Sequence, residues 1–154
     1  MNEKGQIALE YLLLFFILLI ILSSISIPYL YKSIEFTEDI TTTVETKSFL
    51  TEIQKNVKLI YVLDVDSKRT ISVYIPKDMV LYYSEINGKN IIYTTIKLHD
   101  DSKKRIELEM PCKISFNGNV NHYYSSLKNR WYYNTEVKWI ESSDGKKSIN
   151  INFK

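Results

Sequence analysis

Hydrophobic and polar positions along the chain follow three regimes. Between residues 7 and 27 the only charged residue is Glu10, and the run beyond it is bulky and apolar: Tyr11, Leu12, Leu13, Leu14, Phe15, Phe16, Ile17, Leu18, Leu19, Ile20, Ile21 and Leu22. At about 1.5 Å per helical residue this stretch is about 31 Å long, close to the ~30 Å hydrocarbon layer of a bilayer. It predicts a helix that crosses a membrane once. Past Pro28 apolar residues recur at Leu30, Ile34, Ile40, Val44, Ile53, Val57 and Ile60, with Phe36, Phe49 and Leu50 adjacent and acids and lysines between them. That spacing predicts a continuing amphipathic helix whose apolar face needs a partner, expected in the C-terminal region. Pro28 opens this part, either kinking the helix or marking the membrane exit. Thr41, Thr42 and Thr43 are poor helix formers, so a bend or break is expected there.

From residue 57 the period changes to two. Ile71, Val73 and Ile75 alternate with polar residues, as do Ile92, Thr94, Ile96 and Leu98; Ile106, Leu108 and Met110; Trp131, Tyr133, Thr135, Val137 and Trp139; and Ile149, Ile151 and Phe153. These are half-buried strands. Asn87 and Gly88 between two such runs predict a tight hairpin. Residues 100–104, 117–119 and 142–147 are turn-rich breaks. The expected fold class is therefore α+β: a long N-terminal hydrophobic helix over 6–56, followed over 57–154 by seven or eight short strands in an antiparallel sheet or small β-sandwich packed on the helix.

Glu10 is the residue that the apolar run leaves unexplained. A carboxylate at the centre of a bilayer costs on the order of 2.5–3.5 kcal/mol, less near its edge, and something should offset it. An ordinary secretory signal has a basic start and a small-x-small cleavage site; Ser24 and Ser26 could serve as that site. However, residues 1–5 hold one acid and one base, and Glu10 sits where such a signal is apolar. The string KGQIALEYLLLFFILL instead resembles the class III signal peptide of archaeal type IV pilin-like proteins: a short charged leader ending in Gly5, Gln6 as first mature residue, and Glu10 beside a hydrophobic helix. Ala8 stands where many members carry Ser. The resemblance implies that a membrane prepilin peptidase recognises Lys4, Gly5, Gln6 and Ala8 and removes the leader 1–5. The helix then stays on the mature protein, with other pilin subunits as its partners.

The chemistry of such a cut can be argued from the residues. Cleavage between Gly5 and Gln6 creates an α-amine that is mostly protonated at neutral pH, at the end of the helix that bears Glu10. When staggered helices pack side by side, the amine of one can lie against the Glu10 carboxylate of its neighbour. The pairing relieves two buried-charge penalties together and leaves both standing when register is wrong, so Gln6 and Glu10 would specify assembly more than they stabilise it. The plainer reading has Glu10 reaching to water at headgroup level. The absence of glycine and of small-xxx-small spacing in the run argues against a close two-helix dimer and suits a multi-helix core.

Composition narrows the rest. The net charge of +2 has no basic footprint for nucleic acid. Cys112 is alone and flanked by apolar residues, so a buried thiol is expected. His99 and His122 lack ligand spacing to a second His or Cys, so no metal is expected. Four glycines form no phosphate loop and no nucleophile elbow appears; neither enzyme nor cofactor is expected. Glu107 and Glu109 fall on the outer side of their strand. One segment could bind a ligand or neighbour: His122, Tyr123, Tyr124, Lys128, Arg130, Trp131, Tyr132 and Tyr133 place aromatic rings beside cations, with Tyr123, Tyr124, Lys128, Arg130 and Tyr132 as the surface candidates. No N-x-Ser/Thr sequon occurs, which points to either a minor subunit or another protective strategy. The apolar run lacks the Gly- and Ala-rich character of archaellins, favouring a pilus over a motility filament. The expectation is a structural subunit of a pilus-like filament, first held in the membrane with its β domain outside. The alternatives are a membrane-tethered binding module that never polymerises and a domain secreted after cleavage at Ser26.

Overall fold

A computed structural model describes residues 3–63, 66–117, 123–141 and 147–154, with the side chains of residues 3–6, 8, 130 and 131 outside that description. The elements in chain order are α1 (Glu3–Val62), β1 (Lys68–Ile75), β2 (Met79–Ile86), β3 (Lys89–Lys97), β4 (Lys103–Met110), β5 (Ile114–Phe116), β6 (Tyr124–Leu127), β7 (Arg130–Glu141) and β8 (Lys147–Phe153). The chain divides into two compact units, Met1–Glu38 and Asp39–Lys154. The architecture is α+β: a long apolar N-terminal helix followed by β-sheets.

In the first unit every described large apolar side chain is exposed, from Ile7 through Leu22 to Tyr29, Leu30, Tyr31, Ile34 and Phe36. A helix apolar on all sides has no solvent-facing surface, and this one is long and apolar enough to cross a membrane. Pro28 lies inside the helix rather than at its end. Lacking an N–H, it leaves the Ser24 carbonyl without its backbone donor.

In the second unit α1 continues unbroken through Thr41, Thr42 and Thr43, where a bend or break was expected. The hydroxyl of Thr46 donates to the Thr42 carbonyl at 2.7 Å and that of Thr51 to the Lys47 carbonyl at 2.8 Å. Thr46 and Thr51 thus satisfy their hydroxyls on carbonyls of the preceding turn. The buried face begins at Thr46 and proceeds through Phe49, Leu50, Ile53, Asn56, Val57 and Ile60. Ile40 and Val44, expected on that face, are exposed, as are Leu30, Ile34 and Phe36.

The helix also ends at Val62, beyond the expected boundary at residue 56. Val57 and Ile60 continue the three-and-four spacing from Ile53, and that period, not the strand alternation, decides their environment. Two contacts stop the helix. Leu63 N–H closes a final tight turn on the Ile60 carbonyl at 3.1 Å, and the buried Trp139 Nε1–H donates to the same carbonyl at 2.7 Å. The Ile60 carbonyl thereby accepts both from the helix's own last turn and from the sheet it packs on.

The strands form two four-stranded sheets, β1-β7-β8-β5 and β4-β3-β2-β6. All pairings are antiparallel except β5 with β8, so the first sheet is mixed where an antiparallel one was expected. The chain passes from β4 to the far edge of the first sheet, back to β6, and again to β7. The direction of β8 is set by its antiparallel pairing with β7, and the three-residue β5 arrives beside it running the same way. Asn87 (φ 51°) and Gly88 (φ 75°) are both left-handed and join β2 to β3 in the type I′ manner, with Ile86 opposite Lys89. Nothing lies within 4 Å of where a Gly88 Cβ would be, so glycine is required there by the backbone and not by space.

Both sheets and α1 share one core. Phe153 is partly buried and packs against it, with ring centroids 6.4 Å from Phe49 and Phe116 and 6.3 Å from Tyr133. The helix fills the side between β1 and β4: Gln54 Nε2–H donates to the Glu109 carbonyl on β4 at 2.7 Å, and Phe49 lines a groove with Val73 and Tyr74 of β1. The turn after β3 is fastened to the start of this unit, where the backbone N–H and ring Nδ1 of His99 lie 3.2 and 2.8 Å from the Asp39 carboxylate.

Candidate assembly and surface-binding sites

The N-terminal candidates occupy the first turns of α1. The backbones of Lys4, Gly5, Gln6 and Ala8 belong to the helix, while their side chains fall outside the described residues. Gln6 and Glu10 are four positions apart, one helical turn. Glu10 is exposed, ringed by the exposed apolar side chains Ile7, Leu9, Tyr11, Leu12, Leu13 and Leu14. Within the apolar stretch 7–27 of this helix, Glu10 is the one charged residue. This is also where a comparison with known proteins finds its match: residues 4–29 fit the family described as class III signal peptide. The chain carries a class III signal peptide, which supports a type IV pilin-like precursor. No curated protein and no solved structure matches it. The pilin-like segment coincides with the part of α1 whose apolar surface has no cover within its own unit.

The second group of candidates, expected as one aromatic-cationic patch, is divided by the sheets. Tyr124 is 53% exposed on the outer face of the second sheet, opposite Tyr82 in register. Tyr123, its chain neighbour, faces the other way and packs on Tyr83 at 5.7 Å. Tyr132 lies on the first sheet, edge-on to Tyr74 at 6.3 Å. Lys128 is ion-paired to Asp78 at 3.3 Å. The side chains of Arg130 and Trp131, and all of His122, lie outside the described residues. Strand alternation and the crossing of the chain from β6 to β7 are what separate them.

In place of that patch the β unit carries a row that the linear pattern did not single out. Tyr124, Tyr82 and Tyr93 run across three adjacent strands, with centroids 6.5 and 5.3 Å apart. The Arg105 guanidinium sits 3.8 Å over the Tyr93 ring and is held by Glu107 at 2.8 Å. A signal for it existed, since Tyr82 and Tyr93 are equally far from the Asn87–Gly88 turn and must face each other once that hairpin closes. Glu107 and Glu109 are exposed on this outer side, as alternation predicts.

Electrostatics in this unit are those of fixed turns rather than of a reactive centre. Asp78 is held below its ordinary value, first by the Asn129 backbone N–H at 2.7 Å and then by Lys128. Burial pulls the Asp39 carboxyl up, but the ring, backbone and charge of His99 together hold it below its ordinary value. Burial pushes the Cys112 thiol up to about 11 and the Tyr83 hydroxyl up to about 12, so both stay protonated and inert. Among the described residues no group of His, Cys, Asp or Glu is placed to hold a metal ion.

Proposed function

We propose that the protein is a structural subunit, of the minor kind, of an archaeal-type pilus-like surface filament. A prepilin peptidase cuts between Gly5 and Gln6, releasing residues 1–5, and the chain waits in the membrane through residues 7–27 with its β unit outside. The freed Gln6 amine then meets Glu10 of an adjoining subunit inside the helical core. Pro28 adapts the helix where it leaves the apolar layer. A head-to-side contact of this kind is heterologous and propagates as a helix. The role is structural and not enzymatic.

One observation carries the reading: the class III signal peptide match over residues 4–29 coincides with an exposed, all-apolar helix bearing a single carboxylate at Glu10. N-terminal sequencing of the native protein tests it. A chain beginning at Gln6 is expected; Met1 would mean an unprocessed tether, and Ile27 a secreted domain. Glu10→Ala is expected to leave membrane insertion and cleavage intact while filaments disappear. Normal filament abundance from that variant would remove Glu10 from assembly.

A further inference from the structure

Beside the tyrosine row, the outer face of the second sheet holds a groove of about 530 Å³, within the roughly 300–1,000 Å³ range of small-molecule sites. Its lining is of two kinds. Val80 and Tyr82 supply an apolar floor and an aromatic wall. Around them the lining holds the hydrogen-bonding residues Asp78, Thr95, Lys103, Ser126 and Lys128. Among the described residues nothing engages the hydroxyls of Thr95 and Ser126 or the ammonium of Lys103. The Asp78 carboxylate accepts from Asn129 N–H and Lys128 Nζ, which fixes its orientation and leaves acceptor capacity over. Tyr82, 39% exposed, is braced by Tyr93 and Tyr124 on either side and ultimately by Arg105. An aromatic anchor held in this way loses little freedom when a ligand arrives.

The shape and chemistry favour one ligand class over its rivals. A protein partner needs about 800 Å² on each side, far more than a local groove. An anion would meet the Asp78 carboxylate, and a cation would meet Lys103 and Lys128. A neutral molecule with an apolar C–H face and a rim of hydroxyls matches the aromatic wall and the ring of mixed donors and acceptors. We propose that the groove formed by Asp78, Val80, Tyr82, Thr95, Lys103 and Ser126 binds a short neutral saccharide. A sugar ring lies against Tyr82 and Val80, its hydroxyls donating to Asp78 and exchanging hydrogen bonds with Thr95, Ser126 and Lys103. Occupancy requires no filament, because every lining residue belongs to one β unit.

The test uses the full chain in a sugar-free zwitterionic detergent, with cellohexaose, mannohexaose and N-acetylchitohexaose immobilised on a biosensor. At least one probe is expected to bind at millimolar concentration or below. Tyr82→Ala and Asp78→Ala are each expected to weaken binding about tenfold or more, as loss of a central anchor does. Tyr132→Ala, on the other sheet, is expected to leave it unchanged. If either principal variant loses its near-UV circular dichroism, Thr95→Val and Ser126→Ala, which delete only exposed hydroxyls, serve instead and weaken binding several-fold. Failure of all three probes would overturn the assignment, as would binding that survives Tyr82→Ala and Asp78→Ala or falls equally with Tyr132→Ala. So would retention of heparin alone, abolished by Lys103→Ala, since that describes a polyanion on one lysine.

Discussion

The two units of this chain are built from similar apolar residues put to opposite uses. In Asp39–Lys154 Leu50, Ile53, Val57, Ile92, Ile149 and Ile151 are sealed from solvent by their own chain; before residue 38 Leu12, Leu14, Ile17 and Leu18 are all exposed. The β unit completes its hydrophobic burial internally, whereas the helical unit must find apolar surroundings elsewhere, in lipid or among other helices. A single polypeptide therefore contains one region whose stability is its own and one whose stability belongs to its environment.

The sharpest way to break that comparison is to delete the same atoms in both regions. Leu50→Ala removes a side chain with 0% exposure and is expected to cost the β unit about 2–5 kcal/mol. Leu14→Ala is expected to stay within about 0.5 kcal/mol. Guanidinium unfolding of the full chain in detergent, followed by near-UV circular dichroism, reads both, and equal losses would deny the division. Next in size is Gly88→Ala. It forces a side chain to φ 75°, and a cost of about 1–2 kcal/mol is expected from the backbone alone. The same unfolding curve measures it, and because the space is open the loss should not grow with larger residues.

Smaller, and pH-dependent, is the fastening at Asp39. Its folded-state pKa lies below the ordinary 3.8, so its contribution is fully present above that value and fades as pH falls through the lowered one. Asp39→Asn should therefore lower the melting temperature of the β unit at pH 7 and pH 5 alike, with the gap to wild type closing in strong acid. A gap that persists undiminished in strong acid would contradict the ionised Asp39 carboxylate as its source. The smallest effect is a null. With its thiol pushed up to about 11 and buried, Cys112 should not react with Ellman's reagent at pH 8 in the native protein and should react fully once unfolded.

Much of this fold was legible in the linear pattern, and the failures have specific causes. The change of period correctly separated helix from strand, and Asn87–Gly88 located a hairpin that the structure contains. Val57 and Ile60 already follow the helical spacing, yet the expected boundary falls at residue 57 because a short apolar run fits both periods; packing against Trp139 and the core carries the helix on to Val62. The parallel β5 was hidden for another reason: strand direction depends on which sheet a chain re-enters, and periodicity carries no record of that. Of the candidate sites, the segment around Glu10 stood out because a charge in an apolar run is anomalous wherever it is placed. The aromatic patch read along the chain dissolved, since Tyr123, Tyr124 and Tyr132 face three different surroundings.

By itself the sequence determined those properties that depend on nearby residues: an apolar helix with one carboxylate near its start, a tight turn needing left-handed backbone, and alternating strands with one face to bury. These are set by covalent spacing and solvation, which act over a few residues. Tertiary structure alone decided which faces found each other. It chose where along α1 burial begins, brought Asp78 and Ser126 around Val80 and Tyr82, and moved Tyr132 away from Tyr124. The physical reason is that contact between distant segments is selected by how all the apolar faces close over one core together, a condition no local window contains.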